Sequence, residues 1–187
     1  MTYSSLKRKT PLKRSGFKRK YPPSTRDAEQ PSNKEEKAAP KGGKGAKTAR
    51  KPSKSSLETH LDIVFSLYIR LRDAMQGGLT RCISCGRALP FEQMQCGHFF
   101  SRANHSTRWD EMNCNSECVR CNCFDDGHLE GYERNLIAKI GQEPFDELCV
   151  RARGTRKWSG EELRDMIRHY TSEARRLSKE KGIKVKI

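Results

Sequence analysis

The sequence predicts a small α+β domain behind a basic tail, and three observations carry that reading. Apolar residues recur at helical spacing from Leu57; two CxxC pairs, Cys82 with Cys85 and Cys118 with Cys121, bracket a stretch without such spacing; three more helical patterns follow. With 187 residues, 34% hydrophobic and 33% charged, the chain has material for one modest core plus a disordered segment.

The first element is the tail, residues 1–56. It holds 17 Lys and Arg against 4 Asp and Glu, and so most of the chain's net charge of +15. Large apolar residues are sparse there, so burial cannot offset the entropy of ordering it. Within it Leu6-Lys7-Arg8, Leu12-Lys13-Arg14 and Phe17-Lys18-Arg19 repeat a short unit. Such a repeat can lay cations along a phosphate backbone, and serves equally as a solubilising tail. The overall charge points to a polyanion as partner, nucleic acid first, because Lys and Arg gain affinity by releasing condensed counterions. An apolar leader at "MTYSSLKRKT" and a membrane-spanning apolar run are both missing, so the expected setting is cytoplasmic, without a membrane partner.

The domain is expected over residues 57–181. Leu57, Leu61, Val64, Tyr68, Leu71 and Met75 form one face of a helix, with Ser56 as N-cap and Gly77-Gly78 as stop. Residues 81–128 form the cysteine-rich centre, where Gly86, Pro90 and Gly97 interrupt any periodicity and one short hairpin is expected. Over 129–181 three helices follow. Leu129, Tyr132, Leu136, Ile137 and Ile140 mark the first, ending near Gly141; "EPFDELCVRAR" marks the second, with Pro144 in its first turn. The third opens at Ser159, with Glu162 completing a capping box. The ending "IKVKI" is expected to fray.

Two CxxC knuckles in a chain without secretory signals indicate metal before disulfide, and four thiolates suit tetrahedral Zn²⁺. If Cys82, Cys85, Cys118 and Cys121 close that shell, no position is left in it for His98. Two other arrangements rank lower: Cys96 and His98 displacing one knuckle, or Cys114 and Cys123 sharing a second metal. Cys149 lies in a helical apolar pattern and reads as a small core residue.

The order of CxxC, a "GHF" histidine, Asn113 and a second CxxC followed by Asn122 resembles the zinc-braced HNH endonucleases. More narrowly, "RCISCG", "GHFFSR", "RWDEMNCNSECVRCN", "GHLEGYERNLIAKIGQE" and "WSGEELRDM" are similar to the phage NinG (Rap) family of recombination endonucleases, from about Leu57 to Leu177. The resemblance implies a ββα-metal centre, cleavage of D-loops and Holliday junctions by hydrolysis in the host cytoplasm, and a catalytic Mg²⁺ or Mn²⁺ beside the structural zinc. On this chain His98 matches the general base, Asn113 the asparagine that orients it, and Asn122 the last HNH position. The likeness further implies recombination proteins as possible partners and a homodimer for symmetric cutting.

One departure concerns the cation. Many HNH enzymes carry a metal-binding Asp or His directly before the base, and here that residue is Gly97. Asn122 and His128 are the preferred replacement ligands, with Asp110, Glu111, Asp125 and Asp126 in reserve. Arg102, Arg108 and Arg120 are candidates for phosphate contact, although scattered surface arginines need no such role. Phe99, Phe100 and Trp109 read as core rather than base-stacking residues. His60, His105 and His169 carry no functional assignment. The competing reading is a noncatalytic zinc-stapled nucleic-acid-binding module.

Overall fold

The first helix, α1, spans Lys54–Asp73, and its start shows how local chemistry decides a boundary. Ser53 is the N-cap: its hydroxyl accepts the Ser56 backbone N–H at 3.2 Å, so Ser56 is the capped residue and not the cap expected. Of the six residues in the expected stripe, five are buried, and Phe65 and Ile69 widen it; Met75, beyond the helix end, is exposed. The computed structural model describes residues 52–125 and 127–186.

Alongside α1 lies the C-terminal helix, here labelled α5, Gly160–Lys181, which buries Leu163, Tyr170, Ala174 and Leu177. Its capping box is formed as expected: the Ser159 hydroxyl accepts the Glu162 N–H, and the Glu162 carboxylate accepts the Ser159 N–H. The rings of Phe65 and Tyr170 meet edge to face at 4.8 Å. At the far end the Lys181 ammonium donates to the carbonyls of Leu71, Arg72 and Ala74, satisfying acceptors that α1 leaves open. Gly182 takes the left-handed conformation at φ 66°, and Ile183 then folds back into the core. That contact corrects the expectation of a frayed ending, because Ile183 has an apolar surface to cover.

Between these helices the centre contains two antiparallel pairs where one hairpin was expected. Strands β1 (Leu79–Arg81) and β2 (Ala88–Pro90) flank the first knuckle, whose turn places Gly86 at φ 71°. Strands β3 (Met94–His98) and β4 (Cys114–Cys118) pair from Met94 with Cys118 to His98 with Cys114. Helix α2, Val119–Phe124, follows β4 directly. The local order is therefore strand, loop, strand, short helix.

Side chains alternate across the β3–β4 pair. Cys96 and Cys114 face α1 and join its core, whereas Gly97, Asn115 and Glu117 face the opposite way. That second side is covered by α3 (His128–Ile140), which meets α4 (Gln142–Ala152) through Gly141 at φ 91°. Tyr132 of α3 is fully buried, and its hydroxyl lies 3.1 Å from the carbonyls of both Gly97 and Asn113. Phe99, Phe100, Phe145 and Leu148 complete this second core. A polar junction ties α1 to both: Arg72 donates to the Cys114 carbonyl and to Asp73, and Lys139 of α3 donates to Asp73 and Asn115. Against the effect of burial, Arg72 and Lys139 hold the Asp73 carboxyl below its usual range.

Where α3 crosses the first knuckle, the approach is close enough to need glycine. A Cβ on Gly131 would land on the Ser84 carbonyl oxygen, 3.3 Å from the carbonyl carbon. Gly131→Ala should therefore destabilise the protein by about 1–3 kcal/mol through forced displacement. In an open helix the same change stabilises by roughly 0.8–1 kcal/mol. Denaturant titration of the wild type and Gly131→Ala reads the sign directly. No helix among the described residues is long and apolar enough to cross a membrane.

Candidate functional site

The four cysteines singled out by spacing converge. The Sγ atoms of Cys82, Cys85, Cys118 and Cys121 all lie within 4.8 Å of one another, with Cys85 and Cys118 at 3.9 Å. Tetrahedral zinc with Zn–S of about 2.3 Å requires S···S separations of roughly 3.8 Å. The group can thus hold a metal such as zinc. Cys82 comes from the end of β1, Cys118 ends β4 and Cys121 sits in the first turn of α2, so a metal here joins three elements. The Cys118 N–H already donates to the Cys82 sulfur at 3.3 Å. Burial pushes the Cys82 and Cys121 thiols up, and neighbouring thiols raise Cys121 further; against burial, the Arg87 backbone and those thiols hold Cys85 below its usual value.

His98 is the last residue of β3 and is half-buried. Its Nε2–H donates to the Arg108 carbonyl at 3.1 Å. Desolvation lowers its pKa, against the opposing pull of the Arg108 and Cys96 backbones. A neutral ring carries one N–H, so donation from Nε2 leaves the Nδ1 lone pair as the basic atom. Cys96 and Cys114 come within 4.8 Å of the ring, a second group of three possible soft ligands. That grouping is closer to the alternative of Cys96 and His98 acting together than to a Cys114–Cys123 pair, since Cys123 bonds instead to Gln95.

Asn113 does not orient the His98 ring. It is fully buried, accepts the Phe100 N–H at 2.7 Å, and donates to the carbonyls of Phe100 and Thr107 at 3.0 Å each. Its amide clamps the long loop between β3 and β4, and the loop in turn presents the Arg108 carbonyl to His98. Asn122, also half-buried, donates to Gln95 Oε1 at 2.6 Å. Gln95 is three residues from His98 along β3 and on the opposite face, so Asn122 and His98 are not brought together.

The remaining candidates sort by partner. Arg108 forms a salt bridge with Asp62 of α1 and lies over the Trp109 ring at 4.9 Å, which occupies it structurally; Trp109 also donates to Asp62. The Arg108 guanidinium is therefore engaged within the protein and not free for the expected phosphate contact. Arg102 and Arg120 are exposed and make no salt bridge among the described residues. Asp110 pairs with Arg151, and Glu111 accepts from the hydroxyls of Tyr68 and Tyr170, so neither reserve ligand is free for a cation. Trp109 is buried, and Phe99 and Phe100 are packed in the second core, as expected. Half-buried Cys149 packs there as well. Lys7, Arg8, Lys13, Arg14, Lys18, Arg19 and Asp126 lie outside the described residues.

The residue that spacing missed is Glu117. It is fully buried on β4, its Oε1 accepts from the Ser84 hydroxyl, and its Oε2 has no hydrogen-bond partner among the described residues. Desolvation raises its carboxyl, with Ser84 and His128 opposing. His128 Nε2 is 4.0 Å from Glu117 Oε1, and His128 Nδ1 is 2.6 Å from the Asp125 carbonyl.

The family model described as "Bacteriophage Lambda NinG protein" matches residues 2–180. The chain belongs to the NinG family. Its match reaches into the basic tail, which the resemblance from Leu57 to Leu177 did not include. Protein ninG of Escherichia phage 933W is 38% identical over 90 residues, covering 48% of this chain and 44% of that relative. Protein ninG of Escherichia phage lambda is 36% identical over 90 residues, with 48% and 43% covered. Protein ninG of Enterobacteria phage H19B is 41% identical over 68 residues, with 36% and 33% covered. These alignments span less than half the length of the NinG relatives. No solved structure matches the chain significantly.

Proposed function

We propose that this NinG-family protein is a metal-dependent, structure-selective endonuclease that hydrolyses phosphodiester bonds in branched DNA during phage recombination, working in the host cytoplasm. The observation that carries the reading is the strand–loop–strand–helix unit from Met94 to Phe124, with His98 ending its first strand and a four-thiolate group bracing its helix. Such a unit is HNH-like in order, and it supports His98 as the base that takes a proton from the attacking water. A divalent cation, when bound, would stabilise the leaving 3′ oxyanion, and Asn122 and His128 are residues of this chain that could hold it.

DNA engagement has support on the surface. Arg120 and Phe124 lie one helical turn apart on α2, Phe124 is 78% exposed, and an exposed aromatic beside a cation suits an unpaired base at a branch. The tail would add sequence-independent affinity, so removal of residues 1–51, which spares the Ser53 cap and all of α1, should weaken junction binding and flatten its dependence on salt. Filter binding across a salt series measures that slope; an unchanged slope removes the tail from the interface. Symmetric cutting of a four-way junction further calls for a dimer, and a strictly monomeric complex with junction DNA in ultracentrifugation would oppose it.

One observation favours the noncatalytic module instead: the His98 ring is half-buried between two thiols and committed to Arg108. The deciding experiment incubates labelled linear, D-loop and four-way junction DNA with protein in Mg²⁺, Mn²⁺ or EDTA. Metal-dependent nicking of branched DNA, leaving 5′-phosphate and 3′-hydroxyl ends, supports the endonuclease. Tight binding without turnover in either metal supports the module.

A further inference from the structure

Gly97 leaves a gap in the first coordination shell of an HNH-like cation, and the fold fills the same space from the other strand. A Cβ built on Gly97 would fall on the Glu117 carboxylate, 2.8 Å from Glu117 Cβ and 3.1 Å from its carboxyl carbon. The glycine is therefore a condition for the position of Glu117, in keeping with strand glycines that mark close approach. We propose that Glu117 supplies the missing carboxylate ligand of a divalent cation, reaching across the β3–β4 ladder into the place of a residue-97 side chain, with His128 as second ligand.

Two independent features point to a ligand. Glu117 is fully buried, yet its Oε2 has no hydrogen-bond partner among the described residues. An unpaired buried carboxylate oxygen is costly, and a cation beside it would remove that cost. His128 is set up to complement it. Its Nδ1–H donates to the Asp125 carbonyl, which fixes the tautomer and directs the Nε2 lone pair towards Glu117. Ligands about 2.1 Å from one ion in cis positions stand about 3 Å apart. The observed 4.0 Å is to Oε1, the oxygen that also accepts from Ser84, and needs a movement of about 1 Å to close, leaving Oε2 of the same carboxylate to complete the contact.

Asn122 offers a third donor. Its Nδ2 is committed to Gln95, the register partner of Glu117, which leaves its Oδ1 as an acceptor. Carboxylate, imidazole and amide oxygen form a donor set for Mg²⁺ or Mn²⁺, unlike the sulfur-only group that suits zinc. The significance given to Gly97 rests on the endonuclease reading; the binding of a cation at Glu117 is measurable without it.

The test is Mn²⁺ titration of the zinc-loaded full chain, followed by the EPR signal of free Mn²⁺, with and without junction DNA. Glu117→Gln keeps the shape and the acceptor for Ser84 but removes the charge. It should weaken Mn²⁺ binding by about 10-fold or more with zinc content and thermal unfolding unchanged. Gly97→Asp combined with Glu117→Gly transfers the carboxylate to the other strand and should recover binding lost in Glu117→Gly alone. Equal Mn²⁺ affinity in wild type and Glu117→Gln overturns the proposal, as does a wild type that binds no Mn²⁺ even with DNA. The two readings fail separately. Unimpaired junction cleavage and Mn²⁺ affinity in Glu117→Gln would sink the ligand and keep the endonuclease, whereas Glu117-dependent Mn²⁺ binding without cutting of any DNA would do the reverse.

Discussion

Replacement of His98 by alanine is expected to reduce junction cleavage by at least about 10²-fold, the lower end of what a positioned general base contributes. Zinc content, unfolding temperature and junction affinity should stay at wild-type levels, because the ring is only half-buried and makes one hydrogen bond, to Arg108. The pH profile gives an independent reading. Burial lowers the pKa of His98, so its neutral, proton-accepting form persists further into acid than that of a free histidine. The acid limb of cleavage should accordingly have its midpoint below about 6.5 and disappear from the residual activity of His98→Ala. A folded-state pKa that is depressed also makes stability fall as pH drops through the unfolded value towards the folded one. Circular dichroism across the same pH range separates the two effects: activity should be lost while the helical signal is constant. If His98→Ala instead loses zinc or junction binding together with cleavage, the histidine is structural.

Much of the fold is legible in the sequence where a short-range rule decides it. The α1 stripe, the Ser159–Glu162 capping box and the glycine between α3 and α4 are all local patterns, and all are realised. Ser53, Ser55 and Ser56 offer three hydroxyls in four residues, so local chemistry alone could not choose the N-cap. Strands of three residues, such as β1 and β2, are too short to show alternation, which is why the knuckle hairpin was not anticipated. The cysteine cluster was readable because metal geometry constrains spacing. By contrast, the partner of Arg108 is Asp62, 46 residues away on another element, and no spacing rule reaches that far. Asn113 was matched to a role by its position in a pattern, while its bonds depend on the path of the loop it clamps. Glu117 was hidden in the polar run "NSEC", yet one signal pointed towards it. An isolated glycine within a strand, directly before the candidate base, implies that something approaches closely, and the opposite strand is the nearest source.

Loss of zinc should have the largest effect on the protein as a whole. Free energies of roughly 10–16 kcal/mol for structural zinc are comparable to the roughly 5–15 kcal/mol of net stability typical of a domain, so Cys118→Ser should lose the metal and unfold the centre. The apolar cluster at the four-thiolate group is small, consisting of Cys82, Met94, Cys118 and Cys121 with Leu89 packed against it, and could not hold the knuckle unaided. The α1–α5 pair has its own core, in which Leu61, Phe65, Ile69, Leu163 and Ala174 are almost fully buried. Hydrogen exchange of Cys118→Ser should therefore show protection lost over residues 94–124 and retained in α1 and α5. Cys114→Ser is the informative counterpart. Cys114 belongs to the group with Cys96 and His98, not to the four-thiolate group, so this variant should keep its zinc. Zinc retained in Cys118→Ser but lost in Cys114→Ser would place the metal at the other end of β4, with Cys96 and His98. His98 would then be its ligand and would no longer be free to act as a base, and the endonuclease reading would lose its catalytic residue along with its zinc assignment.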